Sequence, residues 1–289
     1  MDAFSGGLSF FLNSHIDFFE ELAKFRAARR IWARRLRDRY GATDPAAMRL
    51  RFHTQTAGVS NTAQQPMNNV VRTALEALAA VLGGTQSLHT NALDEVLALP
   101  TEEAAKIALR TQQVIAYESG VADVTDPLGG SYFVEALTDR IEERAEDLFA
   151  EIERMGQGSM LEGVLEGIER GWFQGLIAEA AFDEQRCYET GELTRVGVNR
   201  FVEEGEEPID TLVIGPEAEA HQLARLRGLR ASRDEGACDA ALDALVRDAE
   251  GDTNLIEPLV ACARAGCTEG EIVIALEKVF GNYRETPVF

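Results

Sequence analysis

Along the first hundred residues the apolar positions change period several times. Residues 8–13 (LSFFLN) form a short apolar run and predict a buried strand. From 15 to 39 the apolar positions Ile16, Phe19, Leu22, Ala23, Ile31 and Leu36 recur at helical spacing. Glu20 and Glu21 stand early and the arginines late, an order that suits the helix dipole. Gly41 and Asp44-Pro45 end that helix. Residues 49–56 predict a second strand, 57–66 a polar loop, and 68–82 a helix with an apolar stripe of Val70, Val71, Ala74, Leu75, Leu78, Ala79 and Leu82. Gly83-Gly84 stops it, and residues 85–90 predict a third strand. Strand–helix–strand–helix–strand is the pattern of right-handed parallel βα units. Three strands are too few to close an eight-stranded barrel.

Beyond Pro100 the pattern turns helical. Thr101 caps a helix that Gly120 stops. Residues 126–132 (DPLGGSY) form a turn, and 133–155 a long acidic amphipathic helix. Residues 160–189 read as helix interrupted by Gly163, Gly167, Gly171 and Gly175, and 195–201 (RVGVNRF) as a short extended piece. An acidic linker, 203–207 before Pro208, precedes helices near 221–229, 236–248 and 254–264. A last helix opens at the capping box Thr268-Glu269-Gly270-Glu271 and runs to Phe280.

Composition narrows the classes. A chain of 289 residues with 45% hydrophobic residues can bury a core in one large or two ordinary domains. It has neither an apolar run of about twenty residues nor the basic start of a secretory signal. Its four cysteines, Cys187, Cys238, Cys262 and Cys267, make no CxxC pair, so no zinc site or disulfide framework is expected, and a reduced cytoplasmic protein is the simplest reading. A net charge of −21 argues against nucleic acid and anionic membrane as partners. That charge is uneven: 24–51 is strongly basic, 135–153 and 203–207 acidic. The basic residues have helical spacing, which suits a solvated face; the sharper reading has some arginines meeting a phosphate-bearing ligand or an acidic partner surface.

The candidate chemistry lies at the carboxyl ends of the second and third strands, dense in uncharged polar side chains. His53 and Gln55, two apart on a strand, share a face and offer neutral donors and acceptors for a carbonyl or ester-like oxygen, or else form a satisfied buried pair. Asn91 and Glu95 would share a face of a helix beginning near Asn91, where the carboxylate can accept from ribose hydroxyls; Asn-x-x-x-Glu is equally a common helix start. His53 and His89 have no carboxylate or thiol at ligand spacing, so no metal site is expected. P-loop, GxGxxG, GxSxG and HExxH motifs are absent from the sequence.

The stretches FHTQTAGVS, NNVVRTALEALAAVLGGTQSLHTNALDEVLALP, DPLGGSYFVEALT and VGVN, with LSFFLNSHIDFFEELAKFRAARRIW before them, closely resemble the methylmalonyl-CoA mutase family of adenosylcobalamin-dependent acyl-CoA mutases. The resemblance runs from about Leu8 to the C-terminus. It implies an α/β fold: the C-terminal part of a (β/α)8 TIM-type barrel over 1–100, a helical segment packed on it over 101–205, and a helical linker region over 206–289. It implies radical carbon-skeleton isomerisation of an acyl-CoA, with the cofactor bound mainly by a separate flavodoxin-like domain or small subunit. By motif, Ser9 and Phe11 match substrate-channel positions, His53 and Gln55 the cavity facing substrate and corrin, Gln86 the same cavity, and Asn91 and Glu95 residues holding the adenosyl ribose. Gly7 replaces an arginine that contacts CoA, and Asn61 a leucine. The sequence has no DxHxxG, the motif for the lower-axial histidine on cobalt. The expectation is therefore a C-terminal half, active only with an N-terminal half-barrel and a cobalamin-binding subunit. The alternative is a non-catalytic helical scaffold left by a split gene.

Overall fold

The computed structural model of the chain describes residues 1–205 and 207–284; Glu206 of the expected linker, and the chain end at 285–289, lie outside the described residues. The chain forms two compact units, Met1–Leu212 and a second from Val213 onward.

In the first unit a short helix α1 (Asp2–Ser5), not expected from the pattern, precedes β1 (Phe10–Ser14), α2 (Phe18–Asp38), β2 (Phe52–Thr56), α3 (Asn68–Leu82) and β3 (Ser87–His89). The strands form one parallel sheet, β1-β2-β3, so the chain is α/β. Phe10 lies opposite Phe52, Phe11 opposite His53 and Asn13 opposite Gln55; on the other side, His53 faces Ser87 and Gln55 faces His89. Asp17, whose carboxylate accepts from Glu20 N, caps α2, so that helix starts three residues later than the apolar spacing suggests.

One face of the sheet is covered. Phe25 of α2 stacks on Phe52 of β2, ring centroids 5.4 Å apart, and Leu50, Ala80, Leu12 and Leu88 pack around them. The turn at Gly83 is tight against this cluster, since a Cβ there would stand 2.5 Å from the Phe25 ring. Helix α3 departs from the expected stripe. Its buried face carries Asn69, Thr73, Glu76, Ala77, Ala79 and Ala80, whereas Val71 and Leu75 are exposed. Small alanines bring the helix close to the sheet, and the polar residues reach the loops at the strand ends. An amphipathicity argument that ranks residues by apolarity places such a face on the wrong side.

Helices α4 (Glu102–Glu118) and α5 (Tyr132–Met155) follow. Gln112 of α4 donates to Leu88 O at 3.2 Å, which sets that helix beside β3. Helix α5 runs along α2 in the same direction and answers its arginines in order: Arg26 pairs with Glu135, Arg30 with Asp139 and Glu142, Arg34 with Glu142, Arg35 with Glu146, and Arg39 with Glu153. The basic face is thus not simply solvated; its acidic partner surface is this chain's own α5. Next come α6 (Met160–Glu169) and α7 (Trp172–Thr190). Gly163 and Gly167 do not interrupt α6. They lie buried within it, and a Cβ at Gly163 would meet Ile152 O at 1.9 Å, so glycine is what lets α6 pack on α5. The break falls at Gly171, φ 65°. Residues 195–201 are not an extended segment but a tight turn with one isolated bridge, Val196 to Arg200, held by Asn199, whose side chain accepts from Arg195 N at 2.7 Å.

The second unit is helical: α8 (Pro216–Ser232), α9 (Glu235–Ala249), α10 (Ile256–Ala265) and α11 (Glu269–Phe280). Its core gathers Leu245 with the buried thiols of Cys238, Cys262 and Cys267. Helix α11 opens with the expected capping box, Thr268 and Glu271 exchanging side-chain-to-backbone bonds.

Candidate active-site face

Among the described residues no helix packs on the second face of the sheet, and the alternation of the strands decides what it shows. Phe52, Thr54 and Thr56 of β2 are buried under α2 and α3, while His53 and Gln55 point the other way and are half-buried. The register extends this into two cross-strand rows: Phe11, His53 and Ser87, then Asn13, Gln55 and His89. The Phe11 and His53 rings stand 5.2 Å apart, tilted at 46°. His53 Nδ1 lies 2.7 Å from Ser87 Oγ, which fixes the ring. Ser9, just before β1, is exposed.

At the carboxyl ends of the strands the rows run into a buried polar cradle. Asn91 N donates to Thr56 Oγ1 at 2.9 Å, tying the exit of β3 to the end of β2. The Asn91 carbonyl accepts from Gln55 Nε2 at 3.3 Å, and its amide nitrogen is buried with no hydrogen-bond partner among the described residues. Gly58 sits against both candidate cofactor residues, because a Cβ there would approach Glu95 Oε1 to 2.8 Å and Asn91 Nδ2 to 3.3 Å. So the structure brings Asn91 and Glu95 together across a turn over 93–97, without the helix that their spacing suggested. Burial raises the Glu95 pKa, and the neighbouring His89 opposes that rise.

Gln86 stands apart. It precedes β3 at the opposite, amino-terminal end of the strands, its carbonyl accepts from Phe52 N at 2.7 Å, and its amide donates to Gly84 O at 2.7 Å. Both ends of the side chain are engaged by the backbone, and neither reaches the open face.

Residues not singled out from the sequence hold the cradle in place. Asn69, fully buried, accepts from Thr62 N at 3.0 Å and donates to Thr62 O and Leu93 O at 2.9 Å, so one side chain ties both site-bearing loops to α3. Asp94 accepts from Thr101 N at 2.9 Å and fixes the turn that carries Glu95. Glu76, 1% exposed, has neither carboxyl oxygen in a well-formed hydrogen bond, and burial pushes its pKa up to about 7. The Ser60 hydroxyl and the Ala57 N–H moderate the rise, Glu21 adds to it, and Ala57 N already donates to Ser14 O. The available signal was the run Asn69, Thr73, Glu76 at helical spacing on a face that also carries the alanines.

A family model described as methylmalonyl-CoA mutase matches residues 1–282. The chain belongs to the methylmalonyl-CoA mutase family. It is 50% identical, over its whole length, to the 2-hydroxyisobutanoyl-CoA mutase large subunit of Aquincola tertiaricarbonis and covers 51% of that protein. It is 47% identical to the methylmalonyl-CoA mutase of Cereibacter sphaeroides, with 98% of this chain and 39% of that protein aligned. The human mitochondrial methylmalonyl-CoA mutase is 43% identical over 98% of this chain, which covers 37% of it. The chain thus spans about half, or less, of the length of the curated relatives it matches. Among the described residues no helix is long and apolar enough to cross a membrane.

Proposed function

We propose that this chain is the C-terminal part of the substrate-binding portion of an adenosylcobalamin-dependent acyl-CoA mutase of the methylmalonyl-CoA or isobutyryl-CoA type, working in the cytoplasm. Its three parallel strands are then the last strands of a (β/α)8 TIM-type barrel, with residues 101–205 packed on the barrel and 206–289 leading out of it. The observation that carries the reading is the uncovered face of the sheet. Its two polar rows have the alternation of a barrel interior and end in a cradle at the carboxyl ends of the strands, where such folds place their chemistry. Similarity to named mutases over the whole chain supports it over the scaffold alternative.

The cofactor fits the residues present. Asn91 offers a buried amide nitrogen without a partner, Glu95 a carboxylate, and Gly58 the space between them that a side chain would fill. Such a set suits the paired hydroxyls of a ribose, so Asn91 and Glu95 are assigned to the adenosyl group; Gln86, spent on Phe52 and Gly84, is not. When bound, adenosylcobalamin supplies an adenosyl radical that removes a hydrogen atom from the acyl group. His53, oriented by Ser87, and Gln55, beside Asn91, hold the thioester carbonyl during its migration by hydrogen bonds from uncharged groups. Ser9 and Phe11 line the path of the acyl-CoA, and the Phe11 ring helps to keep water from the reacting carbons.

The test is reconstitution. The chain mixed with an N-terminal half-barrel, a cobalamin-binding subunit and cofactor is expected to interconvert acyl-CoA isomers, and to co-purify with both proteins. Turnover by the purified chain with cofactor alone would refute the need for partners. Failure of the complete mixture on every short branched acyl-CoA would refute the mutase assignment.

A further inference from the structure

Glu76 is a buried carboxyl group that the proposed mechanism leaves unused. It is 1% exposed, and neither oxygen makes a well-formed hydrogen bond among the described residues. Its surroundings come from four parts of the chain. From β1, Ser14 Oγ donates to the Glu76 backbone oxygen at 2.8 Å. From the loop over 57–60, the Ser60 hydroxyl and the Ala57 N–H face the carboxyl. From α2 comes Glu21, itself buried and paired with Lys24. On α3 the charged neighbour is Arg72, whose guanidinium donates to Thr62 Oγ1, Asn69 Oδ1 and Val196 O, each at 2.8 Å. Glu21 opposes ionisation of Glu76 and Arg72 favours it, and neither bonds its carboxyl.

The same loop forms part of the adenosyl cradle. Ser60 N donates to Ala57 O at 3.1 Å and closes one tight turn. In the middle of that turn Gly58 stands against Glu95 and Asn91, where a Cβ would approach Glu95 Oε1 to 2.8 Å. Ala57 follows Thr56, whose hydroxyl accepts from Asn91 N at 2.9 Å. The turn thus meets Glu76 through its two ends and the cradle through its middle. A protonated carboxyl can donate to the Ser60 hydroxyl or accept from it, so the neutral form suits a closed turn. An ionised one, beside Glu21 and with no bonded cation, needs water that its burial excludes.

We propose that Glu76 is a positioning residue for the adenosyl cradle: its proton keeps the turn over 57–60 closed, and loss of that proton to solvent opens the turn and frees Gly58 from Asn91 and Glu95. The link from Glu76 to the turn concerns this chain alone. The link from the turn to the cofactor rests on the mutase reading.

Hydrogen–deuterium exchange of the purified chain tests the first link. It is read by mass spectrometry over residues 57–62 between pH 5 and 8 and corrected for intrinsic exchange rates. With one proton involved and an ordinary glutamate in the open state, protection should fall about tenfold per pH unit and level off near pH 7. Glu76→Gln, neutral at every pH, should stay protected throughout. Ser60→Ala should move the levelling point to higher pH, because the hydroxyl that moderates the Glu76 carboxyl is gone. A merely structural role would change protection equally at every pH. The proposal is overturned if the parent shows no pH dependence or if Glu76→Gln follows the parent's profile. Should Glu76→Gln misfold, the direction of the Ser60→Ala shift decides.

The second link is read in the reconstituted mixture, as the ratio of affinities for adenosylcobalamin and for methylcobalamin, which lacks the adenosyl ribose. In the parent that ratio should fall by up to about tenfold from pH 6 to 8, and in Glu76→Gln it should stay constant. Identical profiles would overturn the positioning role. A mixture that binds neither cobalamin would refute the mutase reading instead, leaving the exchange result to decide the first link.

Discussion

The two faces of one three-stranded sheet are made from alternate residues of the same strands, yet they do different work. The covered face is dry: Phe52 stacks on Phe25, and Thr54 and Thr56 are sealed under α2 and α3. The uncovered face sets Phe11, His53 and Gln55 beside Ser87 and His89, and none of these five is buried. A side chain shifted by one residue along β2 passes from the packed face of the sheet to the open one. Substitutions on the two faces should therefore separate stability from function.

The largest expected effect is on the covered face. Phe52→Ala should lower unfolding free energy by about 3–5 kcal/mol, and Phe11→Ala by less than about 1 kcal/mol, in urea titrations of the chain. Equal losses would mean that the second face is also packed.

Glu76 lies on the covered side and adds pH dependence. Its carboxyl is raised to about 7 in the fold, well above an unfolded glutamate. Its contribution to stability is full below about pH 4.3 and is lost as pH rises through 7, because the folded state holds the proton longer. Glu76→Gln should remove that loss, about 4 kcal/mol at most, so the variant should gain on the parent between pH 5 and 8 in thermal melts. A parallel pH profile for the two proteins would show that Glu76 is not the titrating group.

The uncovered face should give the reverse signature. In the reconstituted mixture His53→Ala should cost about 100-fold in kcat, the usual effect of one donor to a developing oxyanion, with the melting temperature of the chain nearly unchanged. The smallest effect belongs to the flank: Arg30→Gln should cost less than about 1 kcal/mol, and the cost should shrink further in 0.5 M salt.

Much of this arrangement was legible in the sequence, and the exceptions have a common cause. Helix α3 begins and ends at the expected residues, because Pro66 and Gly83-Gly84 punctuate it locally. Strand β3 is shorter than expected because Thr85 and Gln86 turn their side chains onto Thr54 and Phe52 N. The pairing of His53 with Gln55 follows from period two alone. The buried face of α3 was not legible, since Asn69 and Glu76 are buried for the loops they meet, and those loops are set by long-range packing. Asn91 and Glu95 meet through Gly58, more than thirty residues upstream, so no local spacing reports their geometry.

The arginine ladder of α2 also has a kinetic side. Its partners on α5 lie 108 to 114 residues later in the chain, from Arg34–Glu142 to Arg39–Glu153. Closing loops of that length is a slow step in folding, and until α5 has been synthesised the arginines of α2 remain uncompensated within an otherwise acidic polypeptide. The order in which the ribosome releases these helices therefore leaves an interval in which residues 24–51 carry a basic, half-formed surface, the period in which a chaperone would have the most to bind.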